Sequence, residues 1–296
     1  MVSDDKDHVS VGFVGAGTLG RGLALALDGV GCNVVEVSSR SRSSADWIAE
    51  RIDECVARDT AQEVADACDL VFITTPDAMI ADVAASINWR SGQGATHCCG
   101  ASSIELLDAA ADAGAAVGAM HPFQTFAALS DPTEAARRLS GVTFAVAATG
   151  WLADYLPSLA ERLDGQAITI PDELRPLYHA SAVLACGYVG TLLDAAVGLW
   201  TRMGYAEEDG VRAVAPLARA TIEAIAAAGP VNAVTGPAVR GDAATIAAHL
   251  SLLSEHAPHL LTLYRELTLA SIPLARTKGV GEQELERLRR AAEAEA

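Results

Sequence analysis

The chain has 296 residues, 51% of them hydrophobic, which is enough for one large domain or two ordinary ones with sizeable cores. A formal net charge of −17 argues against nucleic acid and anionic membranes as partners, since both attract basic surfaces. No apolar run is read as long enough to span a bilayer, and the polar, acidic opening MVSDDKDH excludes an ordinary secretory signal, so a cytoplasmic protein is expected.

From residue 9 onward, short apolar runs alternate with helical stretches. The strand-like segments are VSVGFV (9–14), NVVEVS (33–38), LVFITT (70–75), ATHCC (95–99), AAVGAM (115–120), VTFAVAA (142–148) and QAITI (166–170). Between them lie helical stretches such as LGRGLALALDG, SSADWIAERIDE and SIELLDAAADAG. Strands that alternate with helices predict a doubly wound parallel α/β sheet over residues 1–171. After Pro171 the strands stop, and residues 172–296 read as an all-α domain broken by the Gly/Pro-rich VNAVTGPAVRGD. The six cysteines are scattered, with no CxxC pair and no Cys/His cluster, so they read as reduced core residues and no metal site is expected.

The first strand runs into Gly15-Ala16-Gly17-Thr18-Leu19-Gly20 and then a helix. A GxGxxG in this strand-to-helix context suits a dinucleotide: its glycines allow a tight turn and a close approach of backbone N–H groups to the pyrophosphate. The competing reading is a Gly-rich turn without a ligand. An NAD site usually ends its second strand on an acid, whereas here that strand ends Ser38-Ser39-Arg40-Ser41-Arg42, and Glu36 falls short of the usual position. Hydroxyls and guanidinium groups at Ser39, Arg40 and Ser41 suit a 2′-phosphate, so NADP is the expected cofactor, with a plain polar loop as the alternative. Thr75 and Pro76 follow the strand LVFITT, and Cys99–Ser103 follow the next, so both turns should face the nicotinamide half of the cofactor. His121, leaving AAVGAM through HPFQTF, joins them if that strand is also parallel.

GFVGAGTLGRGLALAL resembles the opening of pyrroline-5-carboxylate reductases and of the wider 6-phosphogluconate and β-hydroxyacid dehydrogenase superfamily. GFVGAGTLG, SSRS, ITTPD, HCCGASS, HPFQTF, YHASAVLACGY and TGPAVRGDAATIAAHL together resemble the Rossmann-like proteins that carry a C-terminal domain of unknown function 2520. The resemblance implies a Rossmann sheet, a helical C-terminal domain that commonly dimerises, and an NADP-dependent oxidoreductase role. One departure is informative. β-Hydroxyacid dehydrogenases and ketopantoate reductases carry a catalytic lysine on the first long helix after the sheet, and here that helix reads LYHASAVLACGYVGTLLDAA. The only lysines are Lys6 and Lys278.

Another group must then handle the proton. His121 and His179 are the candidates, with His179 the better donor because it opens the helix where relatives hold their lysine. Each has a bland alternative: His121 as a turn-shaping residue beside Pro122, His179 as a satisfied core histidine. Arg240, with Ser102 and Thr235, is expected to grip an anionic substrate group, and Gln124 to orient the reacting carbonyl. Asp242 joins this set, although N-capping the helix AATIAAHL is its simplest job. His249, two turns beyond Asp242, can face the same side. The reading is an NADP(H)-dependent oxidoreductase acting on a small keto/hydroxy or imino/amino acid in a cleft between the domains, assembled as a homodimer through its C-terminal helices. A non-catalytic NADP(H) sensor is the alternative, and a deazaflavin is a third option for the cofactor.

Overall fold

The computed structural model describes residues 9–129 and 131–294. The chain divides into two compact units, Met1–Cys186 and Gly187–Ala296.

The first unit is built on eight strands: β1 (Ser10–Val14), β2 (Asn33–Ser38), β3 (Val56–Arg58), β4 (Leu70–Ile73), β5 (Gly94–His97), β6 (Ala116–Pro122), β7 (Thr143–Ala148) and β8 (Gln166–Thr169). They form one sheet in the order β3-β2-β1-β4-β5-β6-β7-β8. Pairing is parallel throughout except between β6 and β7, which run antiparallel. The helices of this unit are α1 (Thr18–Gly29), α2 (Arg42–Ala49), α3 (Ala61–Ala67), α4 (Ile80–Ala85), α5 (Asp108–Asp112), α6 (Pro132–Arg137), α7 (Leu152–Arg162) and α8 (Arg175–Ala185).

The sheet is covered on both faces, which is why its strands read as continuous apolar runs. Alternate residues of β4 enter opposite cores: Leu70 and Phe72 pack with α1, α2 and α7, while Val71 and Ile73 pack with α3, α4 and α5. Phe13 stacks on Phe72 with ring centroids 5.2 Å apart, tying β1 to β4 at the centre. Burial inside these cores pushes the thiols of Cys55, Cys68 and Cys98 up to about 12, so they behave as small hydrophobes. Cys186 departs from that pattern and is exposed.

The sequence pattern missed β3. It has three residues, Val56 at its start is exposed, and so it shows no apolar run. β3 supplies the partner of a buried charge. Glu36 in β2 is 5% exposed, and Arg58 in β3 grips both of its carboxylate oxygens, with Nη2 2.6 Å from Oε1. Glu36 is therefore spent on the sheet edge rather than on a ligand.

The change from strands to helices falls at Pro171, and the first compact unit continues beyond it through α8 to Cys186. The expectation that no apolar run reaches membrane-spanning length is corrected. The helical stretch Asp172–Arg202, 31 residues with a window of mean hydropathy 1.7, is long and apolar enough by length and composition alone. Its apolar residues are spread among Gly, Ala and Ser and broken by single polar groups, so no uninterrupted run betrays it. The backbone also breaks at Cys186 (φ −123°, ψ −72°), which separates α8 from the next helix.

The second unit comprises α9 (Gly187–Arg202), α10 (Glu207–Ala233), α11 (Ala243–His256), α12 (Leu261–Ala270), α13 (Ile272–Thr277) and α14 (Glu282–Glu293). Ile246, Leu250, Ile272, Ala275, Leu285 and Leu288 form its core. α9 and α10 pack on each other where Gly210 lets α10 approach Val197 and Trp200. Their other faces leave Tyr188, Val211, Leu217 and Ile222 exposed.

Candidate functional site

β1 enters its turn at Gly15, whose φ of 109° belongs to the region that favours glycine. A Cβ there would lie 2.7 to 2.8 Å from the backbone of Thr74 and Thr75, so the turn following β4 excludes any side chain. Gly15 N donates to the Ser38 carbonyl at 2.8 Å, and Thr74 Oγ1 donates to the Gly15 carbonyl at 2.7 Å. These bonds pin together the turns after β1, β2 and β4. Gly17, by contrast, has nothing within 4 Å of where a Cβ would sit, so its backbone faces open space. Gly17 is also the N-cap of α1, makes no side-chain cap, and is followed by a first turn without acidic residues. Backbone N–H groups at this helix end are thus available to an anion.

A cleft of about 730 Å³ opens above these turns. Of the residues expected to hold a cofactor, Gly15, Ala16, Gly17, Thr18, Leu19, Ser39, Arg40, Ser41, Thr75 and Pro76 line it. Gly20 does not. It lies beneath the turn, where a Cβ would come 2.5 Å from the Gly15 carbonyl oxygen, so its role is close packing. Asp59, Met79 and Val83, which the sequence reading did not single out, also line the cleft.

The arginines at the end of β2 differ in availability. Arg42 donates to Asp46 at 2.8 Å and to Asp59, and these partners raise its pKa. Arg40 is exposed and has no ion pair among the described residues. Thr75 Oγ1 is buried without a hydrogen-bond partner among the described residues. An open helix end, an unpaired guanidinium and an orphaned hydroxyl on one cleft are donors that a phosphorylated dinucleotide would satisfy.

A second cluster stands at the carboxyl ends of β5 and β6. His97, the last residue of β5, is fully buried, accepts from Cys99 N at Nδ1 (3.1 Å) and donates from Nε2 to the Ser103 carbonyl (3.1 Å). Burial pushes its pKa down to about 4, so it is a neutral strut that shapes the Cys99–Ser103 turn. That turn carries Ser102, which is half-buried.

His121 lies near the end of β6, which is parallel to β5, so it emerges on the same side as the cleft-forming turns. Antiparallel β7 holds it there: His121 is in register with Ala145 and Pro122 with Phe144, and Phe123 N donates to the Thr143 carbonyl at 2.8 Å. The chain leaves through HPFQTF because its last ladder partner on β7 is reached at Pro122. Gln124 then serves the exit loop, accepting from Thr125 N and donating to the Arg138 carbonyl.

His121 Nδ1 is hydrogen-bonded to Tyr178 Oη at 2.8 Å, and the two rings meet edge to face. Phe123 packs on the same phenol, with centroids 5.4 Å apart. The opposite edge of the imidazole rests on Gly100, where a Cβ would fall 2.8 Å from Nε2. Burial, then His179, Arg175 and His97, push the His121 pKa down to about 4 against the pull of Asp77. Burial pushes the Tyr178 phenol up to about 12. Tyr178 and Arg175 escaped the sequence reading; only the i, i+3 and i, i+4 spacing of Arg175, Tyr178 and His179 could have signalled a shared helix face. His179 sits half-buried beside Tyr178 and makes no hydrogen bond among the described residues.

The other expected substrate residues belong to the second unit. Asp242 is the N-cap of α11 and accepts from Thr245 N and Oγ1. Arg240 and Thr235 are exposed in the preceding loop. His249 is bonded to Tyr264 Oη at 2.7 Å. Lys278 donates from Nζ to the carbonyls of Val231 and Val234, so it is committed to the end of α10. Lys6 lies outside the described residues. Among the described residues no cluster of His, Cys, Asp and Glu could hold a metal ion.

No curated protein sequence matches the chain. A solved Thermotoga maritima protein, 23% identical, superposes with a TM-score of 0.72 over 90% of this chain and 99% of its own. Pyrroline carboxylate reductase from Plasmodium falciparum, solved with NADP bound, is 13% identical with a TM-score of 0.57, covering 97% of this chain and 99% of its own. The reductive aminase of Aspergillus terreus, in complex with NADPH and ethyl levulinate, is 14% identical with a TM-score of 0.60, covering 96% and 92%. At these identities the likeness establishes the fold. Family models match a Rossmann-like domain over residues 3–122 and the domain of unknown function DUF2520 over residues 142–271. The chain is a Rossmann-like protein that carries a C-terminal DUF2520 domain.

Proposed function

We propose that the protein is an NADP(H)-dependent oxidoreductase that transfers a hydride between the nicotinamide and a small keto/hydroxy or imino/amino compound. The observation that carries this reading is the convergence of two features at the carboxyl edge of one sheet. One is the glycine-turn cleft with its unpaired Arg40, and the other is the His121–Tyr178 couple. Gly15–Leu19 would hold the pyrophosphate, Ser39, Arg40 and Ser41 the 2′-phosphate, and Thr75 and Pro76 the approach to the nicotinamide. Two solved structures of the same fold carry NADP or NADPH by their descriptions, which supports this choice of cofactor.

Bound NADPH supplies the hydride. The chain's own residues must then orient the acceptor and deliver a proton within hydrogen-bond reach, and His121 with Tyr178 is the pair placed to do so. A mere NADP(H) sensor has no use for such a couple. The exposed apolar faces of α9 and α10 support a homodimer built on them, to be checked by sedimentation of wild type against Leu217→Glu.

The primary test is calorimetric titration with NADPH and separately NADH, followed by NADPH oxidation with small keto acids and cyclic imines. Tight NADPH binding, weak NADH binding and turnover of one acceptor support the proposal. NADPH binding without turnover of any acceptor moves the protein to the sensor class, and no binding of either nucleotide removes the reading.

A further inference from the structure

Arg175 heads the fully buried side chains of the protein by volume, and hydride transfer as described leaves it without a task. Its Nη2 donates to the Cys99 carbonyl at 3.2 Å, but Nε and Nη1 are buried with no hydrogen-bond partner among the described residues. No carboxylate forms an ion pair with it among the described residues, and burial lowers its pKa. A guanidinium stripped of water and left unneutralised is costly, so its retention calls for a charge that exists only at some stage of function. Tyr178 lies one helical turn along the same face, and its hydroxyl is already bonded to His121.

We propose that Tyr178 is the catalytic acid of the reaction and that Arg175 is its positioning cation, stabilising the tyrosinate that remains once the proton has left. This rests on the oxidoreductase reading above. In the direction of reduction, the hydride adds to the carbonyl or imine carbon. The Oη–H bond of Tyr178 breaks, and its proton forms the O–H or N–H bond of the product. Tyr178 is restored through His121: a proton from water enters at Nε2 as the Nδ1 proton passes to Oη. His121 suits a relay rather than a donor because burial and its cationic neighbours keep it neutral.

Each group in the cluster has a place in this electrostatic scheme. Arg175 favours the charged phenolate against the burial that opposes it. Asp172, Cys99 and Tyr178 favour the charged guanidinium. His179 and His97 disfavour a charged His121, and Asp77 favours it. His179 makes no hydrogen bond to this couple among the described residues, so the scheme gives it no proton-transfer step.

The experiment places trifluorotyrosine at position 178, which brings the phenol titration into an accessible range, and follows it by fluorine NMR. Arg175→Met should shift that titration upward by roughly one to two pH units, while Arg175→Lys should retain most of the wild-type value. Arg175→Gln takes the place of the methionine variant if that one does not fold. A titration unmoved by loss of the cation overturns the role of Arg175. With the acceptor found in the NADPH-oxidation screen, Tyr178→Phe should lose on the order of a hundredfold or more in kcat at unchanged KM. No loss in Tyr178→Phe, or a loss confined to KM, overturns the role of Tyr178. Failure of wild type to bind NADPH is a separate result and removes the oxidoreductase reading itself.

Discussion

Replacing Arg40 by serine is expected to weaken NADPH binding about tenfold and to leave NADH binding nearly unchanged. The side chain is exposed at the mouth of the cleft, so its contact with a 2′-phosphate is charge-assisted yet partly screened by water. A charge-assisted hydrogen bond contributes about 1.5–3 kcal/mol, and exposure argues for the lower end, close to the 1.4 kcal/mol that corresponds to tenfold. Arg42 is the internal control. Its guanidinium neutralises Asp59, which lines the same cleft, so Arg42→Ala should also weaken NADPH binding by uncovering a carboxylate. That second effect should vanish in Arg42→Ala with Asp59→Asn, whereas the Arg40 effect has no such suppressor. Both effects should shrink as salt is raised. Calorimetric titration of wild type and the three variants with both nucleotides is the assay. NADPH affinity unchanged in Arg40→Ser, or an equal loss for NADH, would refute the assignment of the 2′-phosphate to this loop.

Three further outcomes are expected. Gly100→Ala places a methyl group 2.8 to 3.0 Å from three ring atoms of His121, so it should break the bond to Tyr178; turnover should fall at least tenfold with NADPH affinity intact, and equal activity would show that the ring can move freely. His97 is held at about 4 when folded against 6.5 when unfolded, so the unfolded state binds more protons between these values. Its contribution to stability is full above pH 6.5 and is lost as pH falls toward 4, about 2 kcal/mol between pH 7 and pH 5, and urea denaturation of His97→Gln at both pH values should show a correspondingly flatter dependence. Arg58→Ala leaves the Glu36 carboxylate buried without its partner and should lower the urea midpoint, by less than for a fully buried pair because Arg58 itself is 40% exposed; a Glu36→Gln background should recover part of the loss in the same denaturation assay.

The order of strands and helices, the glycine turn and the basic loop after β2 could be read from the residues because each rests on local physics. A short continuous apolar run marks a strand covered on both faces, a positive φ demands glycine, and a 2′-phosphate demands a cation close in sequence to the turn. The same local logic failed for β3, whose three residues carry no apolar run, and for the pairing of Glu36 with Arg58 across two strands. It also gave Gly20 a contact with the cofactor, when the fold uses that position for close packing beneath Gly15.

The cluster of His121, Tyr178 and Arg175 shows where sequence stops deciding. His121 announced itself as a polar exit from an apolar strand, and His179 by its place on the helix that opens after Pro171. That Tyr178, the neighbour of His179, is the one bonded to His121 depends on the rotation of α8 against β6, which residue type and spacing leave open. Arg175 is more remote still from sequence reasoning, since an arginine at the start of a helix reads as solvated, and only packing shows it buried with two donors unused. Local patterns fix which elements form, because their energies arise within a few residues along the chain. Which side chains meet is fixed by contacts such as those of His121 with Tyr178 and of Arg175 with the Cys99 carbonyl, and these exist only once the sheet has closed around them.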